Sequence, residues 1–552
     1  MTAPADLTVV VPTRRRWQTM WRTLAALGAQ TVSGFELVIV VDGEDDPCPF
    51  ESELPSFARL LVVPHGGPGL ARNRGAAATD RPLLLFLGDD IVPAPDLVEA
   101  HLAAHGRRPA DDDAVLGLVV WHPEAAAGRI QRWLEWSGTQ FDYRSMTGPG
   151  EAGFGRFYSS NVSLKRTLFD AAGGFDPAFA YYYEDLDAGW RLARKGMRLW
   201  FEPDAVGHHL HRYDWPSLRR RFEGIARGER LMADRHEWFE PFFAGRVRRA
   251  AAAGPVSTAW PLVVDQVPEG PLRRPAEDRA NHWYLWQLAP FFENAWAAEG
   301  DLDELRRYLG DDFDPDLLTG HKHAVDEEAA AAATERDFYR TSRNYLYDLT
   351  AFASWPTKVA YRWDLTRVVG PGARLLDYGC GIGSDGLRLV DAGYRVDFAD
   401  FDNPGTRYLR WRLQERRLDA SVFDVEGEVP GGYDAVFAFD VIEHVDDPED
   451  FLGRLEARGR LVAVNILEDD PTDTGLHHDL PVRRLLARAA RRGIVRYRFH
   501  HGRSHLVIYR GDGGPSVGPT RSAVRLAEGR LLSTARLARR SPLAAGGALW
   551  RD

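Results

Sequence analysis

Cysteine is nearly missing: the 552-residue chain has two, Cys48 and Cys380, far apart in sequence. That excludes a disulfide framework and points to a reducing compartment. No apolar run approaches the roughly 18–20 residues a membrane-spanning helix needs. The start, "MTAPADLTVVVPT", lacks the basic-then-apolar layout of a signal peptide and reads directly into a strand. Excess positive charge is missing too, since the formal net charge is −11. A general nucleic-acid binder is therefore not expected. Lysine is scarce, at four residues, beside abundant arginine, which reflects composition rather than mechanism. The cytoplasm is the expected location.

What is present describes a soluble globular protein, with 44% hydrophobic and 27% charged residues. At roughly 100–200 residues per domain, the length predicts about three domains or two large ones. From residue 7 to about 120, the runs "LTVVVP", "FELVIVVD", "ARLLVVP" and "PLLLFLGDD" alternate with helix-length segments. That alternation predicts βαβ units and a mostly parallel sheet, whose ligands bind at the carboxyl ends of the strands. Thr13, Asp42, His65 and the Asp89–Asp90 pair stand at such ends. A second series, "ARLLDYGCGIG", "YRVDFADFD", "YDAVFAFDVIEH" and "GRLVAVNIL", begins near residue 374. The expected domains are 1–230, a helical connection over 231–335, 336–511, and a basic tail over 512–552.

Adjacent carboxylates at a strand end suit a hard divalent cation. Farther on, "YYYEDLDAGWRLARKG" opens a helix with Glu184, Asp185 and Asp187, where acids also serve as ordinary capping charge. His101 and His105, at i and i+4, could pair on a metal but read better as helix-surface histidines. Trp283, Tyr284 and Trp286 could stack on a sugar, although their helical spacing favours core.

The pieces "VVVPTRRR", "VIVVDG", "GPGLARNRGAAAT", "LFLGDDIVP", "NVSLKRTLFDAAGGFD", "YYYEDLDAGWRL" and "FEPDAVGHH" follow one another in the order of family 2 glycosyltransferases of the GT-A fold, which residues 7 to about 215 resemble. The resemblance implies a nucleotide-sugar donor, Mn2+ or Mg2+, and inversion at the anomeric carbon. It places Pro12, Thr13, Asp42, Arg72, Asp89 and Glu184 at the donor, with Asp42 on the base and Arg72 by the diphosphate. Asp90 and His208 would hold the metal, with His209 or His211 as substitutes for the histidine, and Asp185 would deprotonate the acceptor. The chain departs from the family's aspartate triplet at Gly88. "QRW" (Gln131–Trp133) precedes the acidic cluster instead of following it, so a non-processive transfer is expected.

The glycines of "LLDYGCGIGSDGLRL" let the backbone turn tightly against a ligand. Gly381, Gly383 and Gly386 also satisfy G-x-G-x-x-G, so a nicotinamide cofactor competes at this point. Asp377 before the glycines, and Glu443–His444 after a later strand, tip the choice. Residues from about 337 to 510 resemble a class I S-adenosylmethionine-dependent methyltransferase of the small-molecule O-methylating kind. The resemblance implies S-adenosyl-L-methionine as cofactor. Asp377, Gly379, Gly381 and Gly383 would line its methionine moiety, Asp400 its ribose and Asp424 its adenine. His444 is a candidate base, with His477 and His478 as alternatives.

The expected architecture is α/β: a GT-A nucleotide-sugar-binding domain, a helical middle segment and a Rossmann-like methyltransferase domain. The expected function is bifunctional, sugar transfer to a glycan, a lipid-linked acceptor or a small molecule, followed by O-methylation. The competing expectations are a chain with one active domain beside a binding or scaffolding module, and a tailoring enzyme for a small-molecule aglycone. The tail residues 520–540 read as a basic amphipathic helix that packs on another domain or makes peripheral contact with the inner face of a membrane.

Overall fold

The computed structural model describes residues 3–126, 128–146, 148–180, 182–254, 256–353, 355–468, 476–500, 502–514, 518, 520, 522–527 and 531. The chain divides into two compact units, Met1–Glu293 and Asn294–Asp552. Most of the 520–540 stretch, on which the expected tail helix and membrane contact fall, lies outside the described residues. Among the described residues no helix is long and apolar enough to cross a membrane.

The first unit holds a nine-stranded sheet. Its strands are β1 (Leu7–Thr13), β2 (Glu36–Asp42), β3 (Ala58–Val63), β4 (Leu83–Leu87), β5 (Ile91–Pro93), β6 (Asp113–Trp121), β7 (Gly150–Glu151), β8 (Asn161–Lys165) and β9 (Arg198–His209). They lie in the order β3-β2-β1-β4-β8-β6-β9-β5, with β7 on β9. The first four strands are parallel, as the alternation of runs and helices predicts. β8 is antiparallel to both β4 and β6, and β5 is antiparallel to β9. β1 and β4 are buried along their whole length, which is why they read as unbroken apolar runs.

One irregularity decides the shape of the site. β9 pairs Glu202 with Gly117 of β6 and then resumes at Val206 opposite Leu118. The intervening bulge is held by Asn161, whose Nδ2 donates to the Ala205 carbonyl at 2.9 Å. A bulge bends its strand and resets which side chains face which way. Beyond it, His209 registers with Ile91, directly after Asp90.

The second unit holds a seven-stranded sheet of β10 (Arg374–Tyr378), β11 (Arg395–Asp400), β12 (Val422–Asp424), β13 (Ala435–Ala438), β14 (Leu461–Leu467), β15 (Ile494–His500) and β16 (Ser504–Arg510). Its order is β12-β11-β10-β13-β14-β16-β15, parallel except where β16 meets β14 and β15. Residues of the helix Arg273–Leu309 belong to this unit from Asn294 onward. Asp301 and Glu304 on it are buried against Arg412, which reaches Glu304 at 2.7 Å and also bonds Asp301. Arg388 adds a 2.8 Å contact to Asp301. A buried charge needs such pairing, and deleting one partner of a buried pair typically costs about 3–5 kcal/mol.

Candidate functional site

In the first unit the strand ends gather the acids. Thr13 Oγ1 donates to Asp89 Oδ2 at 2.9 Å, and Thr23 Oγ1 donates to the Asp89 carbonyl at 2.9 Å. Arg16, on the loop after β1, lies 2.9 Å from Asp89 Oδ1 and also bonds Asp90. His209 Nε2 is 3.1 Å from Asp90 Oδ2, and His211 Nδ1 is 3.6 Å from the same oxygen. Burial pushes the Asp89 carboxyl up to about 6 against the pull of Arg16. Burial acts on Asp90 in the same sense, but His209, Arg16 and His211 outweigh it and hold that carboxyl well below its usual range. Burial also drives His211 down to about 4, against the pull of Asp90.

The sequence reading put His208 at the metal. The structure places His209 and His211 beside Asp90 instead, because alternate strand residues face opposite sides and the bulge fixes the parity. His208 lies 6.3 Å from the His122 ring, with Nδ1 buried. The ligand atoms of Asp90, His209 and His211 lie within 4.8 Å of one another, a span that one divalent ion can bridge.

Asp42, at the end of β2, accepts from the backbone N–H of Gly66 at 2.8 Å and Gly67 at 3.1 Å, and lies 2.8 Å from His65 Nδ1. It shapes the loop that leads into the helix Pro68–Ala77. Pro12, two strands in from the edge, registers with Val40. Arg72 on that helix is buried, 3.6 Å from Glu184, and its Nε and Nη1 take no hydrogen bond among the described residues. Its charge acts on Asp89 as well as on Asp185.

Tyr182 and Tyr183 both take left-handed backbone angles, φ 61° and 67°, immediately before the helix Glu184–Ala193. Tyr183 is held by its hydroxyl, which donates to Glu229 at 2.9 Å. Asp185 Oδ2 accepts from the Ser159 N–H at 3.0 Å, while Oδ1 is buried and takes no hydrogen bond among the described residues. Burial raises the Asp185 carboxyl, and burial with the neighbouring Asp185 charge pushes Glu184 up to about 7.

His101 and His105 are fully buried rather than on the surface. His101 bonds Ser163 at 2.8 Å and Asn161 at 2.9 Å, and His105 bonds the same serine at 2.8 Å. They tie their helix to β8, and all four ring nitrogens are hydrogen-bonded within the protein, His105 Nδ1 to Lys165 at 2.7 Å. Tyr284 is core, stacked on Trp133 at 4.3 Å.

In the second unit the glycine loop follows β10. Gly379, Gly381 and Gly383 take φ of 79°, 54° and 73°, angles that favour glycine. Asp377 accepts from Gly386 N–H at 3.0 Å, and burial with the Asp385 charge holds its carboxyl well above the usual range. Asp400 accepts from the N–H groups of Gly381 and Phe401, both at 2.7 Å, and burial raises it. Asp424, on β12, accepts from the Glu426 N–H at 3.0 Å. A cavity of ≈ 1070 Å³ lies over the loop, lined among others by Tyr339, Tyr345, Asp400, Glu443, His444 and His477. Its volume exceeds the roughly 300–1,000 Å³ of an ordinary ligand pocket, room for a cofactor and a second molecule.

His444 Nδ1 lies 2.9 Å from the Tyr339 hydroxyl and 3.0 Å from the Leu476 carbonyl, and burial lowers it to about 4. His477 is 4.8 Å from the His444 ring. His478 turns to Glu335 at 3.0 Å. Sequence reasoning passed over Arg16, Ser159 and Tyr339. Arg16 stands inside the quoted "PTRRR", but nothing in the spacing says which arginine turns inward.

Residues 8–163 match the family model described as Glycosyl transferase family 2, and residues 376–459 the one described as Methyltransferase domain. The chain is 30% identical over 238 residues to a validoxylamine A glucosyltransferase of Streptomyces hygroscopicus subsp. jinggangensis, covering 36% of this chain and 54% of that protein. It is 28% identical over 240 residues to a pre-mycofactocin glycosyltransferase of Mycobacterium tuberculosis, covering 40% and 47%. Over 87 residues it is 36% identical to a ubiquinone biosynthesis O-methyltransferase of Xanthomonas campestris pv. campestris, covering 15% and 36%. It thus spans about half the length of the two glycosyltransferases and about a third of the methyltransferase. The chain carries a glycosyl transferase family 2 domain on its N-terminal side and a methyltransferase domain on its C-terminal side.

Proposed function

We propose that the first domain moves a sugar from a nucleotide-sugar donor to a glycosylated acceptor in one inverting, non-processive displacement, and that the second methylates a hydroxyl of that product with S-adenosylmethionine. The observation that carries the first half is Arg72. A buried guanidinium with two nitrogens that take no hydrogen bond among the described residues, acting on Asp89 and on Asp185 alike, is suited to a diphosphate placed between those acids.

In this reading Pro12, Thr13 and Asp42 border the nucleoside, Glu184 keeps Arg72 in place, and Asp89 and Asp90 face the diphosphate side. Asp90, His209 and His211 would hold Mn2+ or Mg2+, which when bound offsets charge on the leaving diphosphate. Asp185 takes the acceptor proton on Oδ1, the oxygen that Ser159 leaves open. General-base assistance of this kind is worth about 10²–10⁴-fold. The acceptor oxygen attacks the anomeric carbon as the bond to the diphosphate breaks, so the protein supplies no nucleophile.

In the second domain the glycines Gly379 and Gly381 line the cavity, where S-adenosylmethionine can approach the backbone, and packing against Val441, 2.6 Å from an added Cβ, keeps glycine at 379. Asp400 fixes the loop by the Gly381 N–H, Asp377 anchors its far side, and Asp424 stands beside Asp400 at the sheet edge. S-adenosylmethionine supplies an electrophilic methyl group, and alignment of the acceptor oxygen supplies most of the rest. His444, which bonds the Tyr339 hydroxyl, takes in this reading the proton lost by the acceptor hydroxyl.

Two of the relatives are named for validoxylamine A and pre-mycofactocin, which favours a discrete small molecule as acceptor. The test is to incubate the full chain with a panel of nucleotide-sugars, S-adenosylmethionine and cyclitol or glycoside acceptors, and to read products by mass. Products bearing one sugar and one methyl group support the proposal. Hydrolysis of donor without transfer, or methylation of every acceptor offered regardless of sugar, contradicts it.

A further inference from the structure

Asp90 Oδ2 is a crowded atom. Arg16 Nη2 bonds it, His209 Nε2 lies 3.1 Å away, and His211 Nδ1 lies 3.6 Å away. The same guanidinium nitrogen is 3.2 Å from His211 Nδ1, and its other terminal nitrogen is 2.9 Å from Asp89 Oδ1. The Asp89 and Asp90 side chains are 7% and 12% exposed, so their charge cannot be left to water. One arginine therefore bridges both acids through its fork geometry.

Arg16 also reaches solvent. It stands between β1 and the helix Trp17–Gly28, makes no side-chain cap for that helix, and is 36% exposed. Arg15 before it takes a left-handed angle, φ 53°, which turns the chain at this point. Its neighbours are differently engaged: Arg15 pairs with Asp45, and Arg14 bonds the Asp42 carbonyl.

Resting on the metal reading above, we infer that Arg16 is a built-in counter-cation that competes with the divalent ion for Asp90, so that metal binds only as the guanidinium withdraws. The donor atoms of Asp90, His209 and His211 are close enough to share one ion, but the carboxylate oxygen is already taken by a positive group of the chain. Metal affinity in the absence of donor is then low by construction, and the acids stay soundly buried without an ion. A diphosphate arriving beside Arg72 offers Arg16 a new partner and leaves Asp90 to the metal.

The test counts free Mn2+ by its electron paramagnetic resonance signal during titration of the full chain with Mn2+ alone. Arg16→Gln keeps a polar side chain and removes the cation; it is expected to bind Mn2+ at least tenfold more tightly than the unmodified chain. Arg16→Lys keeps a charge but cannot fork across both acids, and is expected to fall between the two; it carries the test should Arg16→Gln fail to fold. Arg15→Gln makes the same change of net charge one residue away and is expected to stay within twofold of the unmodified chain. Equal saturable binding in Arg16→Gln, Arg16→Lys and the unmodified chain, or an equal gain in Arg15→Gln, overturns the role of Arg16 and leaves the metal site standing. Absence of saturable binding in every variant overturns the metal reading itself.

Discussion

His209 Nε2 meets Asp90 Oδ2 at 3.1 Å across 119 residues of sequence. The contact exists because β5 follows Asp90 directly and pairs with β9 after its bulge. An acid that ends one strand is thereby joined to a histidine chosen by the parity of another.

Asp185→Asn is expected to keep nucleotide-sugar affinity and to lower the turnover of glycosyl transfer by about 10²-fold or more. Steady-state kinetics separates the two. A loss confined to donor binding would make Asp185 a donor-site residue, which its free Oδ1 argues against.

Gly88→Asp restores the family's acidic triplet in sequence but not in space. A Cβ at Gly88 would sit 3.0 Å from both Asp90 Oδ1 and Ile91 Cγ1. The variant is expected to unfold at lower urea, by about 1–3 kcal/mol, and to gain no metal affinity. A tighter Mn2+ site with unchanged stability would show that the strand end has more room than its packing indicates.

His101 sets an acid limit on the first domain. Burial lowers it to about 4 from its ordinary 6.5. The folded state then binds fewer protons than the unfolded chain between those values, so its contribution is intact above pH 6.5 and is lost as pH falls toward 4. The full effect is about 3 kcal/mol. Urea midpoints measured from pH 7 to pH 4 should fall steeply for the unmodified chain and less steeply for His101→Asn, which is less stable at neutral pH. Parallel pH curves would remove His101 from the account.

Gly381→Ala should lose S-adenosylmethionine binding while nucleotide-sugar turnover persists. The residue sits at φ 54°, and an added Cβ would meet Leu349 Cδ1 at 2.9 Å. Strain at such a position costs about 1–3 kcal/mol. Calorimetric titration with S-adenosylmethionine reads it directly; unchanged affinity would mean that this loop does not cradle the cofactor.

Much of the architecture was legible because buried parallel strands leave unbroken apolar runs. The ends of β1, β2 and β4 were read from those runs, and with them Thr13, Asp42, Asp89 and Asp90. The glycine loop and Asp400 were legible for the same reason, as features at the ends of β10 and β11. The choice of His209 and His211 over His208 was not, since it requires the bulge that Asn161 holds. Nor were His101 and His105, because helical spacing does not reveal that a helix lays a polar pair onto Asn161 and Ser163. Arg16 was hidden among three consecutive arginines that the backbone at Arg15 sends in different directions.

The central claim is that one chain carries two independent donor sites. Its most direct measurement is calorimetric titration of the full chain with S-adenosylmethionine and, separately, with nucleoside diphosphates plus Mn2+, in the unmodified chain, Asp90→Asn and Asp400→Asn. The account predicts that Asp90→Asn loses the metal-dependent diphosphate heat and keeps that of S-adenosylmethionine, and that Asp400→Asn does the reverse. Loss of both heats in either variant, or retention of S-adenosylmethionine binding in Asp400→Asn, would contradict it.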